Sequence, residues 1–285
     1  MGIPSTMGNF LRYVTGRSGV ASLGSRLIHS PQSLRVLMYH DVPESRFGHF
    51  KSHLAWLSQH FEFVRPDDLL RETKVSRRPK MLLTFDDGCA DNYELVAPLL
   101  ESYDARGLFF VCPGFAGLER EESFRLMERS AAVLGETNRD SRWQRLSRAQ
   151  IVELDRRGHG IGSHTLTHAP LAHISEADAT HEVKQSAALL ASWLGHDCHF
   201  FAWTYSWDEI TPHSLKIAEG HHRFCFSPCG GLNLWPRPPR LLARTSVDVS
   251  KPVPYLQTQL SGLQEWVYKS KQEWLWRLWS SVNGA

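Results

Sequence analysis

Two adjacent carboxylates, Asp86 and Asp87, stand at the end of the apolar run Leu82-Leu83-Thr84-Phe85 and directly before Gly88. Neighbouring side chains leave a strand in different directions, so one acid can ligate a metal while the other handles a proton. A solvated turn would also carry two acids. Farther along, His164 and His168 lie four residues apart in Ser163-His164-Thr165-Leu166-Thr167-His168, a spacing that sets two imidazoles on one face of a helical turn. With Asp87 they make one carboxylate and two imidazoles, enough protein ligands for a catalytic zinc, or another divalent transition metal, that keeps a position open for water. Such an ion lowers the pKa of bound water from 15.7 to about 7 and polarises a carbonyl, which is hydrolytic chemistry. Among 15 histidines any single one is as readily a surface or hydrogen-bonded core residue, so the combination carries the reading.

The elements that must position these residues are legible as periodic runs. Val36-Leu37-Met38-Tyr39 reads as a short buried strand that ends on His40-Asp41 and meets Pro43, placing His40 where a strand becomes a loop. Phe50, Leu54, Trp56, Leu57 and Phe61 recur with helical spacing, and Pro66-Asp67-Asp68 looks like the start of another helix. Residues 82–85 form a strand, 91–103 a helix with Pro98 in its first turn or at a kink, and 107–111 the next strand. The charged stretch 115–148 predicts a helical excursion or lid, with Ser147 capping a helix through Ile151 and Leu154. A helix over 175–194 stops at Gly195. Strands follow at 199–205, 223–227 and 240–247. About seven strands alternating with helices predict an α/β fold, a closed or nearly closed (β/α) barrel.

Taken together, Thr84-Phe85-Asp86-Asp87-Gly88 and Ser163-His164-Thr165-Leu166-Thr167-His168 resemble the motifs of the polysaccharide deacetylase family, the NodB-homology domain of carbohydrate esterase family four. The similarity runs from about Val36 to Asp248, with Gly158-His159-Gly160-Ile161-Gly162 and Phe201-Ala202-Trp203-Thr204-Tyr205 in the places of the lead-in strand and the third motif. The resemblance implies a deformed (β/α) barrel that removes acetyl groups from N-acetylated sugars through one divalent metal, usually zinc. It implies Asp86 as general base, Asp87, His164 and His168 as metal ligands, and the Tyr205 backbone N–H as a donor to the oxyanion. No convincing Leu-x-His copy follows Tyr205. The Val36-Leu37-Met38-Tyr39-His40-Asp41-Val42 stretch instead resembles the N-terminal strand of the circularly permuted branch that includes poly-N-acetylglucosamine deacetylases, which implies His40 as general acid. Two departures stand out. Thr204 and Ser206 replace a proline and a glycine of the third motif, predicting a less rigid oxyanion loop, and the arginine that orients the catalytic aspartate in many relatives is missing there. Arg244 is a candidate substitute, as it is for a salt bridge or phosphate contact elsewhere.

With 285 residues, 42% hydrophobic, the chain can bury a large core. A net charge of +2 with His neutral gives no indication of nucleic acid as partner. Five cysteines without a paired C-x-x-C framework predict reduced, structural thiols. No apolar run of about 18 residues and no secretory core are present, so the expected setting is the cytoplasm. The expected organisation is a basic arm over 1–33, a deacetylase-like barrel over 34–250, and a Trp-rich helical extension over 251–285. The arm holds no acid and carries Arg12, Arg17 and Arg26; transit-peptide and N-myristoylation readings rank below it because such short patterns recur by chance. Trp266, Tyr268, Trp274, Trp276 and Trp279 fall among Lys269, Lys271 and Arg277. That mixture suits a peripheral helix at the inner face of a membrane, a subunit contact, or a helix that closes the barrel floor. The expected partner is an N-acetylated carbohydrate; another amidase or O-acetyl esterase activity, or a noncatalytic glycan-binding role, are the alternatives.

Overall fold

The computed structural model describes residues 30–71, 77–133, 144–235 and 239–284. Most of the expected basic arm, the centre of the 115–148 excursion and the Trp266 side chain lie outside the described residues. The strands are β1 (Ser33–Tyr39), β2 (Glu62–Phe63), β3 (Lys80–Phe85), β4 (Gly107–Val111), β5 (Gly160–Ser163), β6 (Phe200–Ala202), β7 (Phe224–Ser227), β8 (Asn233–Leu234), β9 (Leu241–Ala243) and β10 (Thr245–Ser246). Around them pack helices α1 (Phe47–His60), α2 (Ala97–Ser102), α3 (Arg120–Val133), α4 (Arg148–Arg156), α5 (Glu176–Leu194), α6 (Pro212–His221), α7 (Val253–Gln259) and α8 (Leu263–Asn283).

The main strands read as unbroken apolar runs because both of their faces are buried. Leu82 of β3, Leu108 and Phe110 of β4, Phe200 of β6 and Phe226 of β7 form the cluster inside the barrel. The alternate residues Leu83, Phe85, Phe109 and Val111 face outward onto Leu54 and Leu57 of α1, Leu100 of α2 and Leu154 of α4. The strand order is β10-β1-β3-β4-β5-β6-β7-β9, with parallel neighbours throughout.

The expected last strand is split. Its first half pairs with β7 (Ser227 opposite Ala243) and its second half with β1 (Leu37 opposite Thr245). Only Arg244 separates the halves. One segment thus bridges the two sheet edges and yields a nearly closed, deformed (β/α) barrel of about seven staves. Closure removes exposed edges.

Local differences from the sequence reading have physical causes. Residues 66–70 make a short 3-10 turn rather than a helix, ended by an extended Arg71. Helix α2 is preceded by one wide π turn, Asn92–Val96; Pro98 has no N–H for the α pattern and crowds the preceding turn, which this widening accommodates. The strand expected over 199–205 is confined to Phe200–Ala202.

Helix α8 packs one face onto the barrel: Leu275 is buried with Trp203 and Leu215, and Trp279 Nε1 donates to Glu219 at 2.7 Å. On either side of Leu275, Trp274 and Trp276 remain exposed at 37% and 46%, Trp274 edge-on to Trp207 with ring centroids 5.0 Å apart. Among the described residues no helix is long and apolar enough to cross a membrane. All five cysteines are buried and free, as expected.

Candidate active site

The site lies where β1, β3, β5 and the closing segment reach their C-terminal ends, the position at which (β/α) barrels assemble reactive side chains. Along β3, Leu82, Thr84 and Asp86 share the face that looks into the barrel, by the two-residue period of a strand. The Asp86 N–H donates to Tyr39 O at 2.9 Å, continuing the ladder between β1 and β3 by one residue. That extension sets His40 beside Asp86, on the parity of Val36 inside the barrel. The His40 carbonyl accepts from Asn92 Nδ2 at 3.3 Å, and the following loop is held by the Val42 N–H donating to Asp91 at 2.9 Å. His40 is exposed at the rim.

Asp86 is 2% exposed. Its Oδ1 accepts from Arg244 Nη1 at 2.6 Å, and Arg244 is itself fully buried, with its guanidinium over the Phe110 ring at 5.2 Å. Of the contacts open to Arg244 in the sequence, the fold makes the one to Asp86, because barrel closure brings the joint between β9 and β10 against β3. Replacing one partner of a buried pair leaves the other charge uncompensated. Arg244→Met is therefore expected to cost about 3–5 kcal/mol in denaturant unfolding, and Arg244→Met combined with Asp86→Asn to cost less than the sum of the single changes. Strict additivity would sink this coupling.

Asp87 ends the strand differently. Its φ of 73° and the φ of 64° at Gly88 turn the chain sharply, and swing the carboxylate away from Asp86 towards the histidines. Position 88 needs glycine, both for that φ and because a Cβ would meet Val111 at 3.0 Å. Asp87 Oδ1 lies 3.4 Å from His164 Nε2 and 3.2 Å from His168 Nε2. All three residues are buried.

His164 continues β5, its N–H donating to Val111 O at 2.9 Å. Its Nδ1 pairs with the Ala202 carbonyl at 2.9 Å; a carbonyl can only accept, so the proton sits on Nδ1 and the Nε2 lone pair faces Asp87. Gly162 leaves the room for this: a Cβ there would lie 2.5 Å from the Phe110 ring. The two histidines do not share a helical face. Thr165 (φ 63°) and His168 (φ 58°) are left-handed, making a tight turn that folds the second imidazole back onto the first, with ring centroids 5.1 Å apart. Local hydrogen bonds hold that turn against helix formation: the Ala169 N–H donates to Thr165 Oγ1 at 3.0 Å, and Thr167 donates through N and Oγ1 to Glu182 at 2.8 Å each.

Burial opposes charge on Asp87, while the charges of His168 and His40 nearby favour it. Burial also lowers the pKa of His168 against the pull of Asp87. The buried Asp87 Oδ1 receives no hydrogen bond in this arrangement. An oxygen without a donor, facing two imidazole nitrogens with all ligand atoms within 4.8 Å of one another, fits a small divalent cation.

Tyr205 stacks edge-on against His168, centroids 4.6 Å apart, with its backbone left-handed at φ 57°. The loop that carries it has a restraint in place of the proline ring: buried Thr204 donates its hydroxyl to Ala169 O at 2.9 Å, tying this loop to the one bearing His168. Non-glycine left-handed residues are rare, and Asp87, Thr165, His168 and Tyr205 all belong to this site. Sequence reasoning missed Glu182 and Arg145. Glu182 was visible as a charge on the buried stripe of α5 with Ala179, Val183 and Ser186; Arg145 left no local signal.

Near the rim, burial and then the neighbouring Asp41 push the Asp91 carboxyl up to about 7. Between pH 4 and 7 the folded chain therefore binds a proton that the unfolded chain releases, so stability falls as pH rises through that window. Asp91→Asn is expected to flatten this slope, by about 1–2 kcal/mol across it, in chemical denaturation at stepped pH; an unchanged slope would count against the assignment.

Comparison with known proteins agrees with this geometry. A polysaccharide deacetylase family model matches residues 73–219, which holds both acids, both histidines and Tyr205. The chain is 24% identical over 198 residues to the putative polysaccharide deacetylase YxkH of Bacillus subtilis (strain 168), covering 66% of this chain and 62% of that protein. The fold is that of IcaB from Ammonifex degensii, with TM-score 0.62, 23% identity and coverage of 80% and 96% of the two chains. It is shared by the de-N-acetylase from Aggregatibacter actinomycetemcomitans, with TM-score 0.63, 14% identity and coverage of 80% and 99%. The matched segment spans more than half of the chain and contains the paired acids and the two histidines that the barrel brings together, and on that ground this chain belongs to the polysaccharide deacetylase family.

Proposed function

We propose that this chain is a metal-dependent hydrolase that removes the acetyl group from an N-acetylhexosamine unit of a glycan or glycan-biosynthesis intermediate. The observation that carries the reading is the convergence of Asp87, His164 and His168 beside the Arg244-held Asp86 at the barrel mouth. Asp87, His164 and His168 would hold the divalent cation, zinc or another transition metal, which when bound polarises the acyl carbonyl and makes water a stronger acid.

The chain's own residues supply the rest. Arg244 occupies one oxygen of Asp86 and orients the other towards the attacking water, whose proton Asp86 accepts as the water oxygen bonds to the amide carbon. The Tyr205 backbone N–H donates to the oxyanion that develops there. His40, across the rim, gives a proton to the nitrogen as the C–N bond breaks, and acetate and a free amine leave. A protein of similar fold, the Streptococcus pyogenes deacetylase PplD, is in complex with acetate, the expected second product. The proposed catalytic unit is 34–250, with the basic arm 1–33 before it and the helical extension 251–285 after it.

Acetate release from a panel of N-acetylhexosamine glycans and lipid-linked sugars, with zinc added and removed, tests the activity. Zinc-dependent release from N-acetyl sugars supports it. Release only from O-acetyl esters or other amides favours the esterase or amidase alternative, and glycan binding without release the noncatalytic one.

A peripheral membrane contact is proposed from the exposed Trp274 and Trp276, which stand among the exposed Lys269 and Arg277. Trp274→Ala with Trp276→Ala is expected to weaken cosedimentation with anionic-lipid vesicles several-fold; equal binding by both proteins would remove the membrane from this account.

A further inference from the structure

Residues 144–146 run as a short strap across the back of the paired-acid turn. The Ala90 N–H donates to Gln144 O at 2.7 Å, and the Leu146 N–H to Gly88 O at 2.9 Å. Cys89 and Arg145 form the isolated antiparallel bridge between them. The strap is anchored at both sides. After it, Ser147 caps α4 with a reciprocal pair of bonds to Gln150; beside it, Phe115 packs with Met127 of α3 and Cys112.

This strap carries Arg145 into the protein. The residue is 7% exposed, its guanidinium lies over the Phe115 ring at 5.4 Å, and its Nη1 donates to the backbone carbonyl of Asp87 at 2.6 Å. Burying a guanidinium is costly. A carbonyl at a turn beside the barrel mouth needs no cation to satisfy it, since water or a main-chain N–H does so. Asp87, however, is no ordinary turn residue. Its left-handed φ of 73° is the joint that aims Oδ1 between the two imidazoles, and rotation about that joint would move the carbonyl and the carboxylate together. A fork fixed by its stacking on Phe115, with a charge-assisted bond to that carbonyl, pins the joint.

We propose that Arg145 is a positioning residue of the metal centre, which holds the Asp87 backbone so that its carboxylate points at His164 and His168. It acts from the backbone side, as outer partners of metal ligands act from the side-chain side. The inference rests on the reading of Asp87, His164 and His168 as metal ligands. It also gives the 115–148 excursion a structural role, because its return segment clamps the turn that bears the ligand.

The test is the zinc affinity of the full-length parent, Arg145→Lys and Arg145→Met, by competition with a chromophoric chelator, with the visible absorption spectrum of the cobalt-loaded forms as a second readout. Melting of the metal-free proteins reports folding. Arg145→Met is expected to bind zinc about 10- to 100-fold more weakly with a displaced cobalt spectrum, and Arg145→Lys, which keeps charge and a donor but not the fork, to fall between it and the parent. If Arg145→Met does not fold, Arg145→Lys decides by the same two readouts. Folded variants with zinc affinity within about twofold of the parent and an unchanged cobalt spectrum overturn the role of Arg145 alone. A parent that takes up no more zinc than His164→Ala overturns the metal-centre reading, and Arg145's role with it.

Discussion

His164→Ala is expected to lose bound metal and to lower turnover by on the order of 10³-fold or more. The loss should be large because His164 does two things at once. Its Nε2 faces Asp87 Oδ1 at 3.4 Å while its Nδ1 is tied to Ala202 O at 2.9 Å, so the lone pair is aimed before any ion arrives. Preorganisation of this kind saves the cost of fixing a side chain on binding. Alanine removes the ligand, opens a cavity above Phe110 and leaves the Ala202 carbonyl without its donor. Metal content by elemental analysis and acetate release measured on the same sample check the prediction, with melting of the metal-free variant to separate unfolding from ligand loss. A folded His164→Ala protein that keeps one metal per chain and full turnover would refute the centre.

Asp86→Asn should behave in the opposite way towards the metal. Asparagine keeps the shape and can still accept from Arg244 Nη1, which approaches Oδ1 at 2.6 Å, but it cannot take a proton from water. Turnover is expected to fall by about 10²- to 10⁴-fold with metal content unchanged. Some stability goes too, since the buried guanidinium of Arg244 loses its counter-charge. The contrast between the two variants is the sharper test of the proposal that one acid of the pair serves the proton and the other the ion, although they are neighbours in the chain. Metal lost from Asp86→Asn, or turnover kept, would mean that the roles of Asp86 and Asp87 have been misassigned.

That the two acids diverge is legible in the amino-acid sequence, because a strand followed by a glycine turn must send consecutive side chains in different directions; which of them would take the proton and which the ion is implied by the family resemblance. The strands themselves are legible for a related reason. Residues buried on both faces read as unbroken apolar runs, and burial is written directly into residue type. Asp86, Asp87, His164, His168, His40 and Tyr205 can be singled out by residue type, spacing and family resemblance.

What only the tertiary structure decided is how distant segments complete the site. Arg244 meets Asp86 across 158 residues of sequence, and does so because the segment that closes the barrel changes partner at that residue. Arg145 reaches the Asp87 carbonyl across 58 residues from a strap with no periodicity to betray it. The two histidines meet through left-handed residues at Thr165 and His168 where their spacing suggests a helix, since hydrogen bonds to Glu182 on α5 and from Thr204 on the third-motif loop select the turn. Periodicity and residue type record which side of an element is buried, a local property of the chain. Which distant groups share a carboxylate or a carbonyl is set by barrel closure and the packing of its loops, and those contacts exist only once the fold has formed.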